Sequence, residues 1–277
     1  MSDLSEHDAL LLVGHGSSRH PEAADALLGL AERLRRPGLV GQVEVGLLNG
    51  EPSVATALAR IEAPAVRVVP FFMEDGHFTR VAVPRALLGP HGDASRSASG
   101  DAADGSCGGP SGGRRVLICP PVGVHDGMAG LIERQALAAC DALGIHARTG
   151  AVLIVGHGSS SAPGRTLALH VHAARVAATA LFARVETACL EEPPFVPEVL
   201  LGLRAHPVVV IGFFAGQGAH VLDDLPALLE AERAARAAGG EPGRSLRFHG
   251  CVTDDPAMLP IVLDQARVGV LSGSTEG

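Results

Sequence analysis

The sequence predicts an α/β protein of two tandem domains, each with about four parallel strands flanked by helices and related by internal duplication. Three observations predict it. The segment LLVGHGSS at 11–18 returns as LIVGHGSS at 153–160, an offset of 142. The same offset carries Val43-Glu44 to Val185-Glu186, Pro52 to Pro194, Gly76 to Gly218 and Pro84 to Pro226. Short apolar runs, too brief for helices, alternate with helical periodicities in both halves.

In the first half the apolar runs lie near 8–13, 43–48, 66–72 and 115–119. Their near-continuous hydrophobicity suits strands buried on both faces, as in parallel sheets. After the first run, Ala23, Leu27, Leu30 and Leu34 fall at helical spacing, with Arg33, Arg35 and Arg36 in the last turn, where cations suit the helix dipole. The second half repeats the pattern near 151–155, 185–190, 207–214 and 246–251. Beyond Pro84 the offset drops, because Met128 pairs best with Met258, 130 residues on. The first half therefore carries about a dozen extra residues, which the Gly-, Ser-, Asp- and Ala-rich stretch 89–113 accommodates as a mobile surface loop. The expected boundaries are 1–145 for the first domain and 150–268 for the second, with a tail at 269–277.

Composition excludes several functions. Net charge is −8 over 277 residues, against an electrostatic grip on nucleic acid. The chain has no lysine, which removes a Walker phosphate-loop lysine and Schiff-base chemistry. No apolar run reaches the ~20 residues that span a bilayer, and the acidic N-terminus does not read as a secretory signal. The 5 cysteines are scattered without CxxC spacing, which fits reduced thiols. A cytoplasmic protein that engages neither membrane nor nucleic acid is expected, as monomer or homodimer.

In open parallel sheets, ligands bind beyond the carboxyl ends of the strands. After strand one come His15 and His157, after strand two Asn49 and Glu191, and after strand three His77 and His220. Two imidazoles and a carboxylate make a site for a borderline metal such as Co, Fe, Ni or Zn. Each motif alone has a plainer reading. GHGSS also fits a glycine-rich turn whose serine caps the next helix, and Glu191-Glu192 before Pro193-Pro194 fits a solvated acidic loop. Their placement on three successive strand ends of a repeated frame is what favours a site. His170 and His172, two apart on a helical pattern, point to different faces and are set aside.

The chain resembles the class II tetrapyrrole metal chelatases, in particular the sirohydrochlorin cobalto- and ferrochelatases in their double-length form. The residues that carry the resemblance are GHGSS at His15 and His157, VETACLEEPP around Glu191, GFFAGQGAHVLDDLP around His220, and the looser VPFFMEDGHFTRVAVP around His77. It implies two chelatase-like domains with the tetrapyrrole held between them. It also implies ATP-independent insertion of a divalent metal, Co²⁺ first and Fe²⁺ or Ni²⁺ as alternatives, with no cofactor beyond that substrate metal. By resemblance the catalytic set is His157, Glu191, His220 and His15, and the metal set His157, His220, His15 and His77.

The first half departs from the pattern, since Asn49 replaces the carboxylate and His77 aligns one residue early. Residue chemistry therefore favours the second half. Arg19, Arg80 and Arg165 are candidate partners for tetrapyrrole carboxylates. The rival readings are a tetrapyrrole or metal carrier without turnover, and a histidine phosphatase-like hydrolase. The latter is disfavoured because Gly14 and Gly156 stand where its arginine belongs.

Overall fold

A computed structural model describes residues 8–17, 21–88, 115–160, 164, 166–239 and 245–268. The loop expected at 89–113, the tail 269–277, and Arg19 and Arg165 lie outside the described residues.

Each half forms a four-stranded, all-parallel sheet. The first contains β1 (Ala9–Gly14), β2 (Gln42–Leu47), β3 (Ala65–Pro70) and β4 (Arg115–Ile118) in the order β2-β1-β3-β4. The second contains β5 (Ala151–Gly156), β6 (Arg184–Cys189), β7 (Val208–Gly212) and β8 (Leu246–Cys251) in the order β6-β5-β7-β8. The registers repeat, Ala9 pairing with Gln42 and Val66 as Ala151 pairs with Arg184 and Val208. The central strands β1 and β5 are buried along their whole length. That is why their sequence is apolar throughout and does not alternate.

Helices α1 (Asp25–Leu34), α2 (Val54–Ala59) and α3 (Val83–Leu88) follow the first three strands. Leu27, Leu30 and Leu34 are the buried stripe of α1, as the spacing predicts. In the second half, α5 (Leu167–Ala178), α6 (Val196–Gly202) and α7 (Leu225–Ala238) take the same places. Helices α4 (Gly127–Ala142) and α8 (Met258–Val268) follow the fourth strands.

These last helices correct the expected boundaries. The described residues divide into two compact units: the chain up to His125 together with that from Ala257 onward, and Asp126–Pro256. The expected division near 145–150 falls inside the second unit. Helix α4 packs on α5 and β7, burying Met128, Leu131, Ile132 and Ala136, so it belongs with the second sheet. Helix α8 packs on β3 and α1 and receives a hydrogen bond from the buried Arg67, whose Nη1 donates to the Ala266 carbonyl at 2.9 Å. Each sheet is thus completed by the helix that follows the other sheet's last strand. Periodicity shows that a helix has an apolar face; it does not say which sheet covers it. Among the described residues no helix is long and apolar enough to cross a membrane.

Candidate metal centre at the strand ends of the second unit

Three backbone segments converge at the carboxyl edge of the second sheet. His157 directly follows β5, and its carbonyl accepts the Glu191 amide at 2.9 Å, so the ladder between β5 and β6 runs on past both strands. This pairing sets the two side chains beside each other. Gly158 makes it possible: its φ is +76°, and a Cβ there would lie 2.8 Å from Glu192 Cγ and 2.9 Å from Cys189 Cβ. After β7 the chain enters a π-helical turn, His220–Asp224, that leads into α7 and carries His220 at its start.

The result is a group of three donors, one ligand atom each from His157, Glu191 and His220, all within 4.8 Å of one another. Glu191 stands between the rings, Oε2 lying 3.8 Å from His157 Nδ1 and Oε1 lying 3.8 Å from His220 Nε2. The imidazoles meet edge to face, with centroids 4.4 Å apart. Such separations slightly exceed the ~3.4 Å between ligands of a tetrahedral site with ~2.1 Å bonds, a gap that side-chain rotation closes. The three side chains keep 48%, 40% and 37% of their surface exposed. A metal held here retains open coordination positions, as exchange to a second ligand requires. The set combines two neutral nitrogen donors with one anionic oxygen, which suits borderline divalent metals.

Hydrogen bonds around the donors hold their orientation. His157 Nδ1 lies 3.0 Å from the Gly158 carbonyl, and His220 Nδ1 lies 2.7 Å from Asp224 Oδ2. Glu192 is no part of a solvated acidic pair; it is buried. Its Oε1 accepts from Thr166 Oγ1 at 2.9 Å and its Oε2 from the Gly164 amide at 2.8 Å, which anchors those two residues to the strand-end loop of β6. The N-cap residues of α1 and α5 are Ala24 and Thr166.

The first unit keeps the backbone and changes the chemistry. Asn49 donates its amide to the His15 carbonyl at 2.7 Å, as Glu191 does to His157, and Gly16 has φ +69°. The Asn49 carboxamide sits 3.4 Å from His15 Nε2 in place of a carboxylate. At the address of His220 stands Phe78, the first residue of the π-helical turn Phe78–Ala82, while His77 precedes the turn. Phe78 meets the His15 ring edge to face at 4.7 Å and stacks on Phe72 at 5.6 Å. His15 and His77, both offered by the sequence as donors, are thus at the strand ends without the Glu191 and His220 equivalents that complete the second-unit group. Arg80, a candidate for substrate carboxylates, gives its guanidinium to Asp75 at 2.8 Å. His170 is exposed with its ring nitrogens near Thr166 and Thr187, whereas His172 is buried.

Sequence reasoning missed Asp224, Glu192 and Phe78. Asp224 carried a signal, since it lies four residues after His220. Phe78 carried one too, because it holds the 142 offset that His77 breaks. Glu192 had none, as its partners lie far away in the chain.

Comparison with known proteins places the chain. A "Probable sirohydrochlorin cobaltochelatase" of Halobacterium salinarum is 27% identical over 264 residues, covering 93% of this chain and 90% of the relative. A "Sirohydrochlorin cobaltochelatase" of Methanocaldococcus jannaschii is 42% identical over 84 residues, 29% of this chain and 58% of that one. Among solved structures, a multi-domain protein of Deinococcus radiodurans, described as structurally similar to chelatases, matches at TM-score 0.76 and 29% identity over 97% of this chain. The match spans only 56% of that longer protein. SirB from Bacillus subtilis, solved with Fe³⁺, shares the fold at TM-score 0.67 and 18% identity, over 95% of each chain. The CbiX family model matches twice, over residues 9–139 and 151–268, and the chain therefore belongs to the CbiX family.

Proposed function

We propose that the protein is a chelatase that inserts a divalent metal, Co²⁺ first among candidates, into sirohydrochlorin or a related tetrapyrrole without ATP. The observation that carries this reading is the convergence of His157, Glu191 and His220 on three successive strand ends. Family membership and the names of the relatives support the substrate class. The absence of lysine, and with it of a Walker lysine, supports independence from ATP.

In this reading the metal is a substrate, received by the two imidazoles and Glu191. Insertion exchanges the ion for two pyrrole N–H protons, so the site must give up a cation and accept protons in the same place. The imidazoles are suited to either task near neutral pH. Glu191 offsets the charge of the bound ion and, between the two rings, offers an acceptor for a departing pyrrole proton. His15 and His77 are assigned no metal, because the carboxylate and second imidazole of the group are Asn49 and Phe78 in the first unit.

The test is metal insertion by purified protein, followed by the change in tetrapyrrole absorbance with Co²⁺, Fe²⁺ and Ni²⁺ in turn. His157→Ala, Glu191→Ala and His220→Ala should each lower turnover by about 10²-fold or more, in the range of a lost acid–base or ligand group. His15→Ala should retain most of it. The reverse pattern moves the site to the first unit, and stoichiometric binding without turnover in the parent protein makes it a carrier.

A further inference from the structure

We propose that Asp224 is a positioning residue that fixes His220 as a metal donor, an inference that rests on the chelatase reading above. His220 and Asp224 are the first and last residues of the π-helical turn, and the ring Nδ1 lies 2.7 Å from Asp224 Oδ2. A carboxylate at that distance accepts the ring hydrogen, so the hydrogen resides on Nδ1 and the lone pair on Nε2. Nε2 is the nitrogen that faces Glu191 Oε1, 3.8 Å away. The donor atom is therefore aimed before the metal arrives, and rotation of the ring about its χ2 bond is opposed by a charge-assisted hydrogen bond.

Two further observations separate this contact from an incidental surface pair. In His157, the other imidazole, Nδ1 lies 3.0 Å from the Gly158 carbonyl, so that ring too is oriented by an acceptor of the protein, here a backbone one. In the first unit the positions 142 residues earlier are Phe78 and Ala82, so donor and orienting acid are absent together. Asp224 is 57% exposed, and its truncation leaves the core intact.

The experiment compares Asp224→Ala, Asp224→Asn and His220→Ala with the parent protein. The readouts are ring ¹⁵N shifts of His220 without metal, affinity for Co²⁺ alone, and the separate KM for Co²⁺ and kcat of insertion. Asp224→Ala should remove the fixed Nδ1–H signature and weaken Co²⁺ binding by about 10- to 100-fold, the effect expected of a lost partner to a ligating histidine. KM for Co²⁺ should rise more than kcat falls, with His157 shifts unchanged. Asp224→Asn, whose carboxamide oxygen still accepts, should recover part of the affinity. An unchanged His220 signature and Co²⁺ affinity in Asp224→Ala, alongside loss of both binding and turnover in His220→Ala, overturns the inference and leaves the chelatase reading standing. Full binding and turnover in His220→Ala overturns both.

Discussion

At three equivalent strand ends the second unit carries His157, Glu191 and His220, and the first carries His15, Asn49 and Phe78. The backbone at these addresses is the same in both: the β1 and β5 registers repeat, the amide of the second address donates to the carbonyl of the first, and a π-helical turn opens the third. Even the cis prolyl bonds Glu51-Pro52 and Pro193-Pro194 recur. The fold thus supplies addresses, and the side chains placed there decide the chemistry. One substitution removes the anionic donor, another replaces an imidazole by a benzene ring that packs on Phe72, and the edge-to-face contact with the first histidine survives both.

The largest test of that contrast is to make each unit resemble the other. His220→Phe should lower metal insertion by about 10²-fold or more, since it imposes the Phe78 solution on the second unit. The paired change Asn49→Glu with Phe78→His should raise Co²⁺ stoichiometry from one ion to two by equilibrium dialysis. Phe78 is 43% exposed, so the replacement disturbs the core little. A stoichiometry that stays at one would show that the shared backbone addresses are insufficient, and that the flanking contacts of His157 and His220 also matter.

A second difference lies beneath the site. Glu192 accepts hydrogen bonds from Gly164 and Thr166, whereas the position 142 residues earlier is Gly50, with no side chain to do so. Glu192→Ala should cost about 1–3 kcal/mol, chiefly because it leaves the hydroxyl of the buried Thr166 without its acceptor. Glu192→Gln, which keeps one oxygen, should cost less. Urea unfolding midpoints measure both, and an equal midpoint for Glu192→Ala and the parent protein would mean that water replaces the carboxylate without loss.

The contrast between units also marks what the sequence could tell. Strands, their burial and the repeat were legible because continuous apolar runs and a fixed offset are local signals. The triad was legible because strand-end position follows from strand assignment. Three features were not. The assignment of α4 and α8 each to the sheet whose last strand it does not follow depends on packing between preformed elements, which no periodicity encodes. The buried state of Glu192 depends on Gly164 and Thr166, which lie more than two dozen residues earlier. The role of Asp224 depends on ring orientation, visible only once the turn is built.

A smaller effect distinguishes how each unit pins the loop after its third strand. In the first, Asp75 Oδ2 accepts from Arg80 Nη2 at 2.8 Å and Oδ1 from Thr79 Oγ1 at 2.7 Å. In the second, the equivalent of Asp75 is Gln217, whose neutral carboxamide donates to both oxygens of Asp254 at 3.2 Å. The Arg80 hydrogen bond, with the Thr79 hydroxyl and the Arg80 charge, outweighs partial burial and holds the Asp75 carboxyl below its ordinary value. A carboxylate whose pKa is lowered by folding contributes stability that is complete above its unfolded pKa, about 3.9, and is lost as pH falls through the folded value. Arg80→Leu, which copies the second unit's Leu222, should therefore lower the urea midpoint slightly at pH 7, with a difference that shrinks as pH falls below about 3.9 and through the folded value. The effect is small because the Arg80 side chain is 70% exposed and solvent screens the pair. A midpoint difference that does not shrink at all as the acid is protonated would mean that the arginine stem packs against the turn and that its charge contributes nothing.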